Sequence, residues 1–455
     1  MSKSQYMSQY VSARRSQRAS ERIFAGFFYA ATITYFLEIE SGRKYYKEKM
    51  QRSRATELLD FYRQQLLDDV VPFWATHSPD TKFGGYFTCL DRHGSVIRGD
   101  KYVWLQGRGV WTFSALYHRI ESRAEWLDLA RLGVQFLQKY GRDGKGHWHF
   151  HLTRDGQVVT GPGSIYSDFF AVYGLSEYSR AVGDEKTLEL ARETYWSILR
   201  RVRDPQFQAF YPFPGSRDFS RHTLWMILLE VTQELNEISP DPRLQDVVEE
   251  CLKAILDHHV RRTDGAILEN LSLDFQALDT PQGRLINPGH GFESAWFVMH
   301  QGRRRGQSEV IRRAAQMAEW SYLRGLDQKY GGIFAFVDLS GQPPYSLEWF
   351  QKEGISWSDK VWWVHAEALY VLLLAYHLTA DKRFLDWYEQ VHEWIFAHFS
   401  DPEFGEWFPY LYRDGRPKSQ QKGNPWKGPF HVPRALLLCY KLLSEMTSDT
   451  PPVIV

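Results

Sequence analysis

Cysteine is scarce in this chain. Cys89, Cys251 and Cys439 are the only three in 455 residues. An odd, widely spaced set without CxxC spacing argues against a disulfide framework or a zinc site, and it fits a reducing, cytoplasmic compartment. An excess of charge is also lacking, since 55 basic residues face 55 acidic ones. The composition therefore carries no footprint for nucleic acid or for an acidic partner. A Gly-rich phosphate loop, a His-Glu-x-x-His metal motif and a GxSxG elbow are all missing, so phosphate, zinc-peptidase and serine-hydrolase chemistry have no sequence support. The longest apolar run, residues 23–39, follows an Arg-rich stretch at 13–22 and is interrupted by Glu38. It is marginal against the ~20 residues a membrane span needs, and no small-residue cleavage site follows it. Residues 1–50 are read as an extension outside the fold, with Met50 opening directly into the first helix. Residues 51–447 are read as one domain and 448–455 as a tail.

Aromatic residues are abundant, 16% of the chain with 17 Trp. Most belong to packing, but some suit a cleft that stacks on sugar faces. A small pattern also recurs six times: an Asp, a short turn usually holding Gly, then an aromatic or apolar run. The copies begin at Asp80, Asp143, Asp204, Asp264, Asp327 and Asp401, at steps of 63, 61, 60, 63 and 74 residues. A period near 60 implies an array of one supersecondary unit. Each gap holds two segments with apolar spacing of three and four, the mark of amphipathic helices. Inner helices are expected to start near Lys101, Ser164, Asp218, Pro288, Asp359 and Gly428. Outer ones are expected near 123–140, 184–202, 241–260, 308–326 and 382–399. The N-terminal helix, 56–74, is left to partner the sixth inner helix and close the circle. The predicted fold class is all-α, an (α/α)6 barrel with short β-hairpins at one end. Those hairpins are expected at 85–97, 147–159, 333–344 and 406–418, with the third and fourth loop units degenerate.

Four inner helices carry polar residues near their first turns: Tyr102, Trp104, Gln106 and Arg108; Asn287, His290 and Glu293; Trp362, Trp363, His365 and Glu367; His431 and Arg434. Helix starts favour developing negative charge. A histidine among aromatics is ordinarily a hydrogen-bonded core residue, and a buried Arg–Glu pair can be purely structural. The coincidence of these His, Glu and Arg residues at matching places in separate repeats favours function. A metal held by His290, His365 and His431 is geometrically open but lacks tight ligand spacing, and none is expected. Two histidines across a cleft suit proton transfer, one accepting while the other donates. An Arg beside a carbonyl oxygen can stabilise an enolate, and Glu293 and Glu367 can orient the rings.

The pieces KYVWLQGR (101–108), ILENLS (267–272), NPGH (287–290) with Glu293, WWVHAEA (362–368), DPEFGEWF (401–408) and FHVPR (430–434) resemble the N-acylglucosamine 2-epimerase, or renin-binding protein, family. The resemblance covers most of 56–443. It implies inversion at C2 between N-acetylglucosamine and N-acetylmannosamine through an enolate-like intermediate. By resemblance His290 and His431 are the acid/base pair, and Arg108, Glu367 and Arg434 match further functional positions. Tyr102, Trp104, Gln106, Glu293, Trp363 and His365 are placed as substrate-binding, Glu293 and His365 on their position alone. The family also implies ATP or another nucleotide as an activator that is not consumed, and a homodimer is expected. Rival readings are an aldose–ketose isomerase or cellobiose-type epimerase of the same fold, a glycosidase using two carboxylates, and a non-catalytic binding role.

Overall fold

Thirteen helices organise the computed structural model, which describes residue 50 and residues 52–204, 219–344 and 354–448. The N-terminal extension and the third loop unit, except Asp204, lie outside the described residues. The first element is α1 (Arg52–Gln64), which runs through a π-turn (Gln65–Val70) into α2 (Val71–His77). Five pairs follow: α3 (Val103–Arg119) with α4 (Ala124–Tyr140), α5 (Ile165–Val182) with α6 (Glu185–Val202), α7 (His222–Ile238) with α8 (Pro242–Lys253), α9 (Pro288–Arg304) with α10 (Ser308–Gly325), and α11 (Trp362–Thr379) with α12 (Lys382–His398). The chain of helices ends with α13 (His431–Thr447).

Odd-numbered helices from α3 to α13 form the inner ring, and each packs on the next. Helix α1 lies against α13 and α13 also touches α3, so the N-terminal helix closes the circle as expected. The two layers differ in composition because their surroundings differ. An inner helix meets an outer helix on one side and two inner neighbours on its flanks, so α11 is buried on nearly every face. The outer helices keep one wet face and are amphipathic, with α8, for example, burying Leu244, Val247, Val248, Cys251 and Leu252. All three cysteines are free and buried. Among the described residues no helix is long and apolar enough to cross a membrane.

In the first, fifth and sixth units the recurring Asp is a clamp. Asp80 accepts from Lys101 Nζ at 2.9 Å and from Arg154 Nε at 2.9 Å. Asp327 accepts from Lys360 Nζ at 3.1 Å and from Arg413 Nε at 2.7 Å, while Asp401 meets Lys422 at 2.9 Å and Arg92 at 2.6 Å. Burial opposes charge on Asp80, but Arg154 and Lys101 outweigh it and hold the carboxyl down at about 2. Each Arg comes from the hairpin turn of the following unit. Arg92 belongs to the first unit and reaches the sixth, so the ring is fastened by the contact that joins its neighbours. The glycine pairs of the first and fifth units, Gly84–Gly85 and Gly331–Gly332, all have positive φ between 65° and 85°, which only glycine adopts without strain.

Strands differ from expectation. The hairpins at 85–97 and 147–159 form, as Cys89–Leu90 with Val96–Arg98 and His151–Leu152 with Val158–Thr160. The hairpin at 406–418 also closes, with Leu411 bridging Pro417, and its Tyr410–Leu411 strand pairs in addition with Lys360–Val361, whereas Val337–Asp338 instead pairs with Leu285–Ile286. Lys101–Tyr102 with Leu152–His151 and Ser220–Arg221 with Leu271–Asn270 follow the same rule. The two residues before an inner helix thus pair with the loop of the next unit, because those backbone groups need partners before the helix begins. The fourth unit is not degenerate in structure, since Val260–Arg261 pairs with Ala266–Ile267 across its turn.

Candidate active site

Two histidines face one tryptophan at the mouth of the inner ring. The Trp363 ring centroid lies 5.1 Å from that of His290 and 5.7 Å from that of His431. Each residue stands in the first turn of its own inner helix, on α11, α9 and α13 respectively. The start of α9 is set by sequence: Asn287 caps it by accepting the His290 N–H at 3.3 Å, and Pro288 occupies the first turn, where its missing N–H costs nothing. Gly289 is required here, since a Cβ would stand 2.4 Å from the Trp363 ring.

Each imidazole gives its Nδ1 to a carboxylate. His290 Nδ1 is 3.0 Å from Glu269 Oε1, and His431 Nδ1 is 2.7 Å from Glu367 Oε1. This leaves Nε2 of each ring for chemistry. Around Glu367 the carboxylate is fully occupied. Trp296 Nε1 donates to Oε2 at 2.7 Å, and Arg434 Nη2 donates to Oε1 at 2.7 Å. The same Nη2 donates to Glu293 Oε1 at 2.5 Å. Glu293, Glu367 and His431 bring three potential ligand atoms within 4.8 Å of one another. The cationic place among them is filled by the Arg434 guanidinium, so the set does not fit a metal.

Charge is divided unevenly over the pair. Burial works against a charged His290, but Glu269, with Glu293 and Glu367 beyond it, outweighs burial and raises its pKa above the ordinary value. His431 is driven well below that value by burial and then by the nearby Arg108 and Arg434 cations. His290 therefore keeps its proton to a higher pH than His431 does.

Arg108 is enclosed by aromatic faces. Its guanidinium carbon lies 3.9 Å from the Phe170 ring centroid, 5.1 Å from that of Phe430 and 5.5 Å from that of Trp104. Burial lowers its pKa to about 9, and its Nε has no hydrogen-bond partner among the described residues. A buried donor without a partner is costly, and a bound oxygen would relieve it. Beneath Arg434 the barrel axis holds a cavity of about 100 Å³ lined by Tyr173, Glu230, Glu234, Trp296, His300 and Arg304. A larger groove of about 650 Å³, lined by Arg142, Arg192, Trp196 and Arg243, includes none of the candidate residues.

The structure thus gathers His290, His431, Glu367, Arg434, Glu293 and Trp363, with Arg108 and Trp104 alongside. Two expectations are corrected. Gln106 accepts the Tyr86 N–H at 2.7 Å and donates to the Tyr86 carbonyl at 2.9 Å, so its amide is spent on the backbone. His365 accepts the Ile333 N–H at 2.8 Å on Nε2, holds the Val361 carbonyl through Nδ1 at 2.8 Å and stacks on Trp394. Burial lowers its pKa to about 3, so it stays neutral. Both are fully buried and serve equivalent places, latching the residue after a glycine pair. The triad of His290, His365 and His431 is accordingly not assembled. Tyr102 stacks flat on His151 at 4.4 Å and takes a hydrogen bond from Arg98. It joins the Arg108 group only through Phe150 and Trp104. Sequence reasoning missed Glu269, Trp296, Phe170 and Phe430. Glu269 lay inside the ILENLS motif, which was its only signal.

The chain matches the family model described as N-acylglucosamine 2-epimerase (GlcNAc 2-epimerase) over residues 85–432. It is 38% identical over 398 residues to the N-acylglucosamine 2-epimerase of Bos taurus, covering 85% of this chain and 91% of that protein. It is 36% identical over 426 residues to the Homo sapiens protein of that name, covering 89% and 95%. The solved cellobiose 2-epimerase of Bacillus thermoamylovorans B4167 superposes with a TM-score of 0.74 at 21% identity, covering 85% of this chain and 99% of that one. That likeness fixes the (α/α)6-barrel architecture.

Proposed function

The chain belongs to the N-acylglucosamine 2-epimerase family, and from that premise we propose that it interconverts N-acetylglucosamine and N-acetylmannosamine by moving the proton on C2. The observation that carries the reading is the pair of imidazoles on one tryptophan, each with Nδ1 fixed by a glutamate and with proton affinities shifted in opposite directions.

In this reading the sugar reacts as its open aldehyde. A C–H next to a carbonyl is acidic enough for a positioned base. Neutral His431 takes the C2 proton on Nε2, and the electron pair moves toward the C1 oxygen to give an enolate. Arg108 donates to that oxygen from its aromatic enclosure, where a cation acts strongly because water is excluded. Charged His290 returns a proton to C2 on the opposite face, which inverts the centre. The reverse reaction begins with the proton on His431. Glu367 stabilises the imidazolium that forms on His431, and Arg434 holds that glutamate in place. Trp363 lies between the two bases and supplies an apolar floor for the sugar.

A glycosidase role is disfavoured. Glu293 and Glu367 accept from the same Arg434 nitrogen, whereas a hydrolase sets its carboxylates across the scissile bond. Incubation with N-acetylglucosamine, followed by ¹H NMR, tests the reading. Appearance of N-acetylmannosamine supports it. A ketose formed from mannose, with no change in N-acetylglucosamine, would replace it with the aldose–ketose isomerase.

A further inference from the structure

Glu269 lies outside the helices, on the short bend between Ala266–Ile267 and Asn270–Leu271. Its backbone is fixed from two sides. The carbonyl accepts the His222 N–H at 3.0 Å, and the N–H donates to the Leu285 carbonyl at 3.2 Å. Leu285 is two residues before Asn287, the cap of α9. The strand that leads into the helix presenting His290 therefore also holds the backbone of the glutamate. The side chain is almost fully buried. Its Oε1 holds His290 Nδ1 at 3.0 Å and its Oε2 accepts from Thr223 Oγ1 at 3.3 Å. His222 Nδ1 stands behind, 3.6 Å from Oε1, in a fully buried ring. No Arg or Lys forms an ion pair with Glu269 among the described residues.

We propose that Glu269 is the positioning residue of His290: it fixes the tautomer with hydrogen on Nδ1, directs Nε2 to the substrate and keeps this imidazole the proton donor of the pair. The inference rests on the epimerase reading for its catalytic meaning, but its physical content concerns His290 alone. A buried carboxylate with no guanidinium paired to it among the described residues acts first on the His290 ring at 3.0 Å and then on the His222 ring at 3.6 Å. The other charged or titratable groups acting on His290 are Glu293 on its own helix, Glu367 on α11 and His431 on α13, while His222 on α7 stands against Glu269. The two glutamates there are already tied to Arg434. Burial opposes charge on Glu269, but His290 and His222 outweigh it and hold its pKa below the usual carboxylate range.

The test is Glu269→Gln beside Glu269→Asp, with histidine ¹⁵N NMR titration of the substrate-free protein and pH profiles of kcat/KM. Glutamine keeps the size and an acceptor but removes the charge. In Glu269→Gln the His290 titration and the alkaline limb of the profile should both move about one pH unit toward acid. At neutral pH kcat should fall roughly tenfold to a hundredfold while KM changes less, the range for groups that orient an active imidazole. Aspartate retains the charge at a longer reach, so both readouts should return part of the way. A folded Glu269→Gln with the parent titration and pH profile overturns the proposal, as do equal changes in both variants, which would mark a purely structural role. If Glu269→Gln does not fold, Glu269→Asp decides. Lowered kcat with a His290 titration still above the ordinary value supports the proposal, and parent behaviour in both overturns it. Absence of C2 exchange in the parent would instead sink the epimerase reading, leaving the titration result intact.

Discussion

His290 and His431 are built alike and tuned in opposite directions. Each begins an inner helix, each touches Trp363 and each gives Nδ1 to a glutamate. The difference lies one residue further out. Glu367 shares its charge with Arg434, and Arg108 also faces His431, so the ring is left neutral. No guanidinium pairs with Glu269 among the described residues, so His290 holds its proton more tightly. Symmetry of first contacts places two bases on one substrate, while asymmetry behind them provides one donor and one acceptor at the same pH. Pushing proton affinities apart is how paired titratable groups divide acid and base work.

The largest effects should come from removing either ring. His431→Ala and His290→Ala should each lower kcat by at least roughly 10²–10⁴-fold, the usual worth of general acid–base catalysis. Steady-state assays in both directions check this, and a loss confined to one variant would break the paired account. Next is Glu367→Gln, which strips the charge that Arg434 and His431 share. It should cost roughly 3–5 kcal/mol of stability, as expected when one partner of a buried ion pair is removed, and about 10²-fold in kcat. Thermal unfolding and kinetics read the two parts separately.

A subtler consequence is the pH profile of kcat/KM. The active form holds one proton on the pair. Activity should fall on the acid side when His431 also becomes charged, below the ordinary histidine pKa because its own is lowered. It should fall on the alkaline side when His290 loses its proton, above the ordinary value because its pKa is raised. A broad bell sharpens the comparison, whereas a narrow one centred on the ordinary histidine value would remove it. The smallest effect is expected from His365→Gln. Glutamine does this job at the equivalent place in the first repeat, so activity should stay within about twofold and stability within about 1–3 kcal/mol, the worth of one buried hydrogen bond.

His365 also shows what the sequence could and could not tell. Its phase matched that of catalytic candidates, which suggested function. Phase in a repeat protein records shared architecture too, and Gln106 and His365 share a backbone latch rather than a substrate. The helices were legible because apolar period and Asp–Gly turns recur at each unit, and closure of the ring by the N-terminal helix followed from counting partners. Strand pairing between units was not legible, because two-residue strands carry no period. Glu269 stayed hidden for the same reason: it is set against His290 by a bend between two-residue strands, whose backbone bonds to Leu285. Trp296 and Phe430 looked like core aromatics, and they are core aromatics that also hold the charged groups in place.

Incorporation of deuterium from D₂O at C2 of N-acetylhexosamine tests the central claim most directly. The account predicts exchange with the parent protein and its loss in both His290→Ala and His431→Ala. Undiminished exchange in the two variants would contradict it.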